Sequence, residues 1–341
     1  MNESFPTPGR RYKVVIVCLT YNQEQYIEDA LRGFAGQRTD FDYCAVVVDD
    51  NSSDRTADII RRYEAQYPDR IRGIYLPENY YSQNKSKVPL LRPWHQHSDY
   101  LALCEGDDYW TDPDKLQKQV DWLDRHPACT MCCTDSEVRR DDGTVEDWNH
   151  YPADCDIPVQ DLILGSGLWL QTPTLVFRSR LYDDFPDYCW RCHVADYPLQ
   201  IWAALQGDVH YLHQKTSVYR LFTTGSWMSG IQRRYAAYML ISGWETELQM
   251  LQGLDRYSEG RYHDTFLQRE AHYIWINLIK YRLCTRTLQL DEELRARFSQ
   301  RQRLVIWLLR SPVIAALCWL PGVPWLIDRI RLLKYRLHHN G

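Results

Sequence analysis

The chain alternates short, unbroken apolar runs with segments whose apolar residues recur at helical spacing. VVIVCL at 14–19 shows no polar alternation, as expected of a parallel strand covered on both faces. Behind it, Ile27, Ala30, Leu31 and Phe34 fall at i, i+3, i+4 and i+7, one face of a helix. AVVV at 45–48 predicts a second strand, and Ile59, Ile60 and Tyr63 mark the next helix, with Ser52, Ser53 and Asp54 as its caps. IRGIYL at 71–76, YLALC at 100–104 and CTMCCT at 129–134 predict three more strands. Pro113 opens a helix carrying Leu116, Val120 and Leu123. HVADYPLQIWAALQG at 193–207 reads as a further helix, followed by a strand over HYLHQKTSVYR and a loop holding Arg220, Ser226 and Trp227. Residues 136–190 read as irregular and substrate-facing, and the pattern after about 230 as helical. Strands alternating with helices at this spacing predict an α/β fold with a mostly parallel sheet and right-handed crossovers.

The candidate chemistry sits where predicted strands stop. LALCEGDDYW at 101–110 ends on Glu105, Asp107 and Asp108. A strand end delivers its side chains to the carboxyl edge of the sheet, where open α/β folds bind ligands. Carboxylates crowded there repel one another unless a cation or hydrogen bonds offset them. Their oxygens also suit Mg²⁺, which shares its shell with substrate phosphates. The plainer alternative is a polar turn capping the next helix. Asp49 and Asp50 close the second strand, however, and Thr20, Tyr21 and Asn22 close the first. With Ser52, Glu105 and Asp107 these residues form a candidate nucleotide site: an aromatic face for the base, a carboxylate for its ring N–H, and acids for ribose and metal. Each piece alone also reads as a cap or a turn. Neither a G-x-x-x-x-G-K-[ST] loop nor a G-x-G-x-x-G loop occurs, so phosphates must be neutralised by a cation and side chains. Asp196 falls in the first turn of the 193–207 helix, where the positive helix end favours an ionised carboxylate. An ordinary N-terminal acid is the alternative there.

The order CLTYN (18–22), VVVDDNSSDRT (46–56), CEGDDYW (104–110) and ADYPLQIWAALQGDVHYLHQKTSVYR (195–220) resembles the family-2 glycosyltransferases over roughly residues 12–230. The resemblance implies a GT-A-type, Rossmann-like, mostly parallel sheet flanked by helices, with a helical C-terminal extension. It implies a glycosyltransferase domain over 1–230, with a nucleotide-binding half at 12–135 and an acceptor-facing half at 136–230, then a helical extension at 231–341. It further implies inverting transfer of a sugar from a nucleotide-diphosphate donor to an acceptor hydroxyl, with Mg²⁺ or Mn²⁺ as cofactor. Tyr21 would lie against the base, Asp50 at its ring nitrogen, Asp107 and Asp108 at the metal and the ribose or diphosphate, and Asp196 would serve as catalytic base. Two positions depart from the family pattern. The first acid of Asp-x-Asp is Glu105 here, one methylene longer, and the family's Glu-Asp pair is Ala195-Asp196. Surface polysaccharide or glycolipid assembly, with a saccharide or lipid-linked saccharide acceptor, is the family-level expectation. Its rival is a non-catalytic sugar-nucleotide-binding partner subunit of the same fold.

Composition narrows the partners. A net charge of −5 lacks the basic footprint of a nucleic-acid binder. The 11 cysteines are scattered, and Cys129, Cys132 and Cys133 read as buried thiols rather than zinc ligands. The opening MNESFPTPGRRYK is polar, so a reducing cytoplasm is the expected location. Among 13 tryptophans, Trp94, Trp110, Trp169, Trp190 and Trp227 are candidates for sugar contact. The segment 304–337 is apolar, Trp-bearing and basic at its end, and Pro312, Pro321 and Pro324 interrupt it. It suits a peripheral element on the inner face of the cell membrane, or a helical hairpin packed on the enzyme's own core.

Overall fold

A computed structural model describes residues 6–148, 150–165, 169–192, 194–221, 223, 244–281 and 290–311. The chain divides into two compact units, Met1–Tyr235 and Ala236–Gly341.

In the first unit, β1 (Tyr12–Thr20), β2 (Tyr43–Asp49), β3 (Ile71–Tyr75) and β4 (Ser98–Leu103) run parallel in the order β3-β2-β1-β4. Every residue of β2 is buried, which is why its sequence shows no alternation. Helices α1 (Ile27–Ala35) and α2 (Thr56–Gln66) form the first two crossovers. Ile27, Ala30, Leu31 and Phe34 join Val14, Ile16, Cys18, Ala45 and Val47 in one core cluster. Helix α3 (Val88–Gln96) escapes the sequence reading because Pro89 and Pro93 interrupt so short a segment. β5 (Tyr109–Trp110) follows the acidic turn, and α4 (Lys115–Arg125) begins two residues after Pro113.

The remaining chain completes the sheet. β6 (Cys129–Arg140) and β10 (Asp208–Leu221) pair in parallel, and β5 pairs antiparallel with β10. Residues 136–190 are not irregular. β6 runs on to Arg140, β7 (Val145–Asp147) and β8 (Cys155–Asp156) form short pairings, and α5 (Val159–Gly165) and α6 (Asp187–Trp190) are helical. β9 (Val176–Arg178) lies antiparallel between β4 and β6, with Val176 opposite both Ala102 and Cys132. Three residues are too few for a periodic signal, so this strand was hidden. Helix α7 (Asp196–Gln206) precedes β10. Arg220 is a strand residue of β10 opposite Arg139, not a loop residue, while Ser226 and Trp227 lie outside the described residues. The cap of α2 also differs from expectation. Its N-cap is Arg55, without a side-chain bond, and Asp54 instead accepts the Thr56 N–H at 2.9 Å. Cys129, Cys132 and Cys133 are buried free thiols.

The second unit is helical where described: α8 (Trp244–Tyr257), α9 (His263–Tyr281), α10 (Glu292–Ala296) and α11 (Gln300–Leu308). A capping box between Ser299 and Gln302 starts α11. Among the described residues no helix is long and apolar enough to cross a membrane. Most of the 304–337 segment lies outside them.

Candidate active site

Three strand ends on the β3-β2-β1-β4 side meet through their loops. Asn22 and Asn51 take left-handed backbone conformations, at φ 51° and 62°, which asparagine tolerates better than most residues. The two loops are then bonded together. Asn22 N–H donates to Ser52 Oγ at 2.9 Å, Ser53 N–H to Asn22 Oδ1 at 2.8 Å, and Gln23 N–H to Thr56 Oγ1 at 2.8 Å. Asn22 and Ser52 therefore brace each other. Thr20 is buried as well, its hydroxyl donating to Gln23 Oε1 at 2.7 Å. Tyr21 is the one strand-end candidate left open, at 43% exposure.

Asp49 and Asp50 have different surroundings. Asp49 accepts the Ser52 N–H at 3.2 Å, and its Oδ1 has no partner among the described residues; burial pushes its carboxyl up. Asp50 accepts the Tyr80 and Tyr81 N–H groups at 2.7 and 3.1 Å and pairs with Lys87 at 2.9 Å. Two carboxylate oxygens offer about four lone-pair sites, which leaves room for one further donor. Lys87 went unnoticed in the sequence because α3 did. Its charge also acts to lower the Glu105 carboxyl.

The acidic turn is pressed onto β1. Gly106 N–H donates to Leu19 O at 3.0 Å. A Cβ at Gly106 would stand 2.4 Å from Gln23 Oε1 and 2.7 Å from Thr20 Oγ1, so only glycine fits between two acids here. Burial raises all three neighbouring carboxyls. Glu105 is pushed up to about 8, first by burial and then by Asp107 and Asp196. Asp107 is raised by burial, against a 2.8 Å bond from Thr223 Oγ1 and the charge of Arg220. Asp108 is raised well above the usual carboxylate range, by burial and by Asp107. Its Oδ1 accepts the Arg220 N–H at 2.7 Å, and its Oδ2 has no partner among the described residues.

Arg220 links the halves of the unit. Its guanidinium donates to Asp107 O at 2.8 Å and to Asp29 of α1 at 2.6 Å, and lies 4.5 Å from the Tyr109 ring centroid. Asp196 opens α7 and accepts its own helix's Tyr197 N–H at 2.8 Å. Thr172 Oγ1 approaches its other oxygen at 3.4 Å. The turn bearing Thr172 is held from behind. Trp110 Nε1 donates to Pro173 O at 2.9 Å, and Gln119 Nε2 to Thr174 O at 2.9 Å. Burial outweighs the helix end and pushes Asp196 up to about 6. Tyr219 of β10 reports how these acids converge. Its phenol is raised by burial and then by Asp108, Asp196, Asp107 and Glu105 together. Carboxylates from two distant stretches of chain therefore share one neighbourhood. Tyr219, Arg220, Thr223 and Lys87 are the contributors that strand-end reasoning missed.

No group of three or more His, Cys, Asp or Glu side chains among the described residues is arranged to hold an ion. Mg²⁺ commonly takes only one or two protein carboxylates when phosphates complete its shell. The unpartnered Asp108 Oδ2 and the mutual repulsion along 105–108 fit such a partly built site. Among the tryptophan candidates, Trp94 and Trp110 are core residues, and Trp190 packs on Tyr182 and Phe185. Trp169 is half-buried and stacked on His150, and Trp227 lies outside the described residues.

A parallel sheet with acids at its carboxyl edge, joined to a mixed half that brings in a helix-end aspartate, has the architecture of the GT-A glycosyltransferases. The sequence matches Glycosyl transferase family 2 over residues 15–192, a little over half its length, and the chain belongs to that family. An uncharacterized protein of Mycobacterium tuberculosis strain H37Rv, Rv1520, is 39% identical over 224 residues, covering 64% of this chain and 62% of that protein. The chain thus spans less than two thirds of that relative's length. TuaG of Bacillus subtilis, named as a glycosyltransferase of teichuronic acid biosynthesis, is 30% identical over 155 residues, covering 45% of this chain and 59% of TuaG. The crystal structure of S. aureus TarS 1-349 in complex with UDP-GlcNAc superposes with a TM-score of 0.53 at 17% identity, covering 96% of this chain and 92% of that one. That likeness concerns the fold.

Proposed function

We propose that the chain is an inverting glycosyltransferase that uses a nucleoside-diphosphate sugar, and that Asp196 is its catalytic base. The observation that carries this reading is the shared neighbourhood of Asp196, Glu105, Asp107 and Asp108 around Tyr219. A carboxyl raised to about 6 is ionised at neutral pH yet basic enough to take a proton, which is the tuning general-base catalysis favours. The acceptor oxygen attacks the anomeric carbon from the face opposite the diphosphate. The new C–O bond forms as the anomeric C–O bond to phosphate breaks, the electron pair leaves with the nucleoside diphosphate, and the acceptor proton passes to Asp196. Holding the two reactants in line contributes on the order of 7–11 kcal/mol. Tyr21 offers its exposed ring to the base, and Asp50 its remaining acceptor capacity to a ring N–H. Asp107 and Asp108 would hold Mg²⁺ or Mn²⁺, which when bound supplies positive charge for the departing diphosphate. Lys87 adds fixed positive charge beside Asp50, and Arg220 beside Asp107 and Asp108.

The name of TuaG and the UDP-GlcNAc complex of TarS support a sugar nucleotide as donor and polysaccharide assembly as the setting. In that setting the acceptor is a saccharide or lipid-linked saccharide, and the apolar, basic-ended segment 304–337 would meet the inner face of the cell membrane. The test is calorimetry with UDP-, GDP- and dTDP-sugars, with and without Mg²⁺ or Mn²⁺, followed by assay of nucleoside diphosphate release. Binding with slow release supports a transferase. Binding without any release, across a panel of saccharide acceptors, would support the non-catalytic partner subunit instead.

A further inference from the structure

Beyond Tyr219, aromatic rings gather in a part of the mixed half that the proposed chemistry leaves unused. Tyr219 lies 6.3 Å from Trp148 between ring centroids, tilted by 45°. Trp148 is half-buried, and its Nε1 donates to Glu146 Oε2 at 2.8 Å. Two residues on, the exposed His150 stacks at 3.9 Å on the half-buried Trp169, with 11° between their planes. Tyr151 meets Trp169 edge-on at 6.3 Å, and its hydroxyl donates to Asp161 Oδ2 at 2.8 Å. The polar edges of these rings are bonded while part of their surface stays accessible.

Asp135 lies on β6 opposite Lys215, two residues beyond Cys133, the strand partner of Tyr211. It is 3% exposed; Oδ1 accepts the Ser136 N–H at 2.9 Å, and Oδ2 has no partner among the described residues. Its charge acts on His150 and on Tyr211, whose ring is 5.4 Å from that of Tyr151. A buried carboxylate oxygen lacking a donor is costly, and a hydroxyl brought by a ligand would satisfy it. The surrounding charge is net acidic, although Arg140 pairs with Glu146 at 2.5 Å, Lys215 pairs with Asp147 at 3.2 Å, and Lys215 also stands opposite Asp135. Residues 141–161 contain Asp141, Asp142, Glu146, Asp147, Asp154, Asp156 and Asp161, and no Lys or Arg.

We infer that this aromatic shelf is the acceptor subsite and that its occupant is an uncharged saccharide. The inference rests on the transfer reading given above, since Tyr219 connects the shelf to the acids of that site. A neutral pyranose presents an apolar face to an aromatic ring and hydroxyl donors to acceptor-only carboxylates. A uronate or a sugar phosphate would instead bring like charge to an acidic surface, which complementarity disfavours.

Saturation-transfer NMR on the full chain tests this with methyl pyranosides of glucose, galactose, mannose and N-acetylglucosamine as neutral probes, and glucuronate and glucose 6-phosphate as anionic ones. Nucleotide affinity is measured on the same samples with UDP, GDP and dTDP. Signal is expected from at least one neutral probe and none from the anionic pair. Trp148→Ala and Asp135→Asn should weaken the neutral probe at least fivefold, Trp148→Phe should restore most of it, and nucleotide affinity should stay unchanged throughout. Equal or stronger signal from the anionic probes, silence from every neutral probe, or an unaltered response in both variants overturns the subsite while leaving the donor site standing. Absence of all nucleotide binding by the unmodified chain would remove the transfer reading itself.

Discussion

The two sides of the central sheet build their shares of the site differently. On the β3-β2-β1-β4 side, strands are parallel and buried, and each chemical residue is the last of its strand or follows it within a few positions. On the β9-β6-β10-β5 side, strands are mixed in direction, and Thr172, Asp196, Tyr219 and Arg220 arrive from a 3-10 turn, a helix start and a bulged strand. The first side concentrates negative charge; the second tunes and braces it. Arg220 shows the division of labour, since it bonds Asp29, Asp107 and Asp108 of the first side from β10 of the second.

Substitutions on each side should separate these roles. The largest effect is expected from Asp196→Asn, which removes the base while keeping the shape. Turnover should fall by about 10²- to 10⁴-fold, with nucleotide affinity retained by calorimetry. In the unmodified enzyme the same group sets a pH profile. Because Asp196 is pushed up to about 6, it is protonated and unable to accept below that value, so transfer should decline as pH drops through about 6. A rate that holds level down to pH 5 would take the base role away from it. Next comes Asp107→Ala on the first side, which should weaken nucleotide binding roughly tenfold in Mg²⁺ or Mn²⁺, about 1.4 kcal/mol, and much less in chelator. Equal losses in both conditions would mean that Asp107 contacts no cation.

Smaller effects probe the packing between the strand ends. Gly106→Ala forces a methyl group against Thr20 and Gln23 and should cost about 1–3 kcal/mol in denaturant unfolding. Glu105→Gln should act in the opposite direction. Folding raises this carboxyl from 4.5 to about 8, so the folded chain holds a proton that the unfolded chain releases. Stability therefore decreases as pH rises across that interval. The amide variant should melt roughly 2–4 °C higher than the unmodified protein at pH 8 and level with it near pH 4. A lower melting temperature at pH 8 would show that the ionised carboxylate is stabilised by its neighbours.

The same contrast explains what the sequence disclosed. β1, β2 and β4 are buried on both faces, so they appear as continuous apolar runs, and the acids that end them stand out at once. The helix starting at Asp196 was legible from its own apolar spacing. Lys87 was not, because prolines interrupt α3, and neither was β9, at three residues. Tyr219 and Arg220 sit near the end of a strand that the pattern did show, but their approach to the acids depends on pairing between distant segments rather than on local pattern. Thr20, Asn22 and Ser52 had the right chemistry for a ligand, yet neighbouring groups occupy them. Hydroxyl and amide side chains at turns often bond locally, and sequence alone does not separate the two uses.

The position of β9 also bears on how the molecule is made. β4 pairs with β1 along one side, but its other side awaits Val176, Phe177 and Arg178. While the nascent polypeptide is still short of those residues, Ser98–Leu103 presents a row of unclaimed amides and carbonyls beside apolar side chains, a template for joining a second nascent chain. Synthesis must therefore run well past the parallel strands before the ribosome releases a product that no longer seeks a partner.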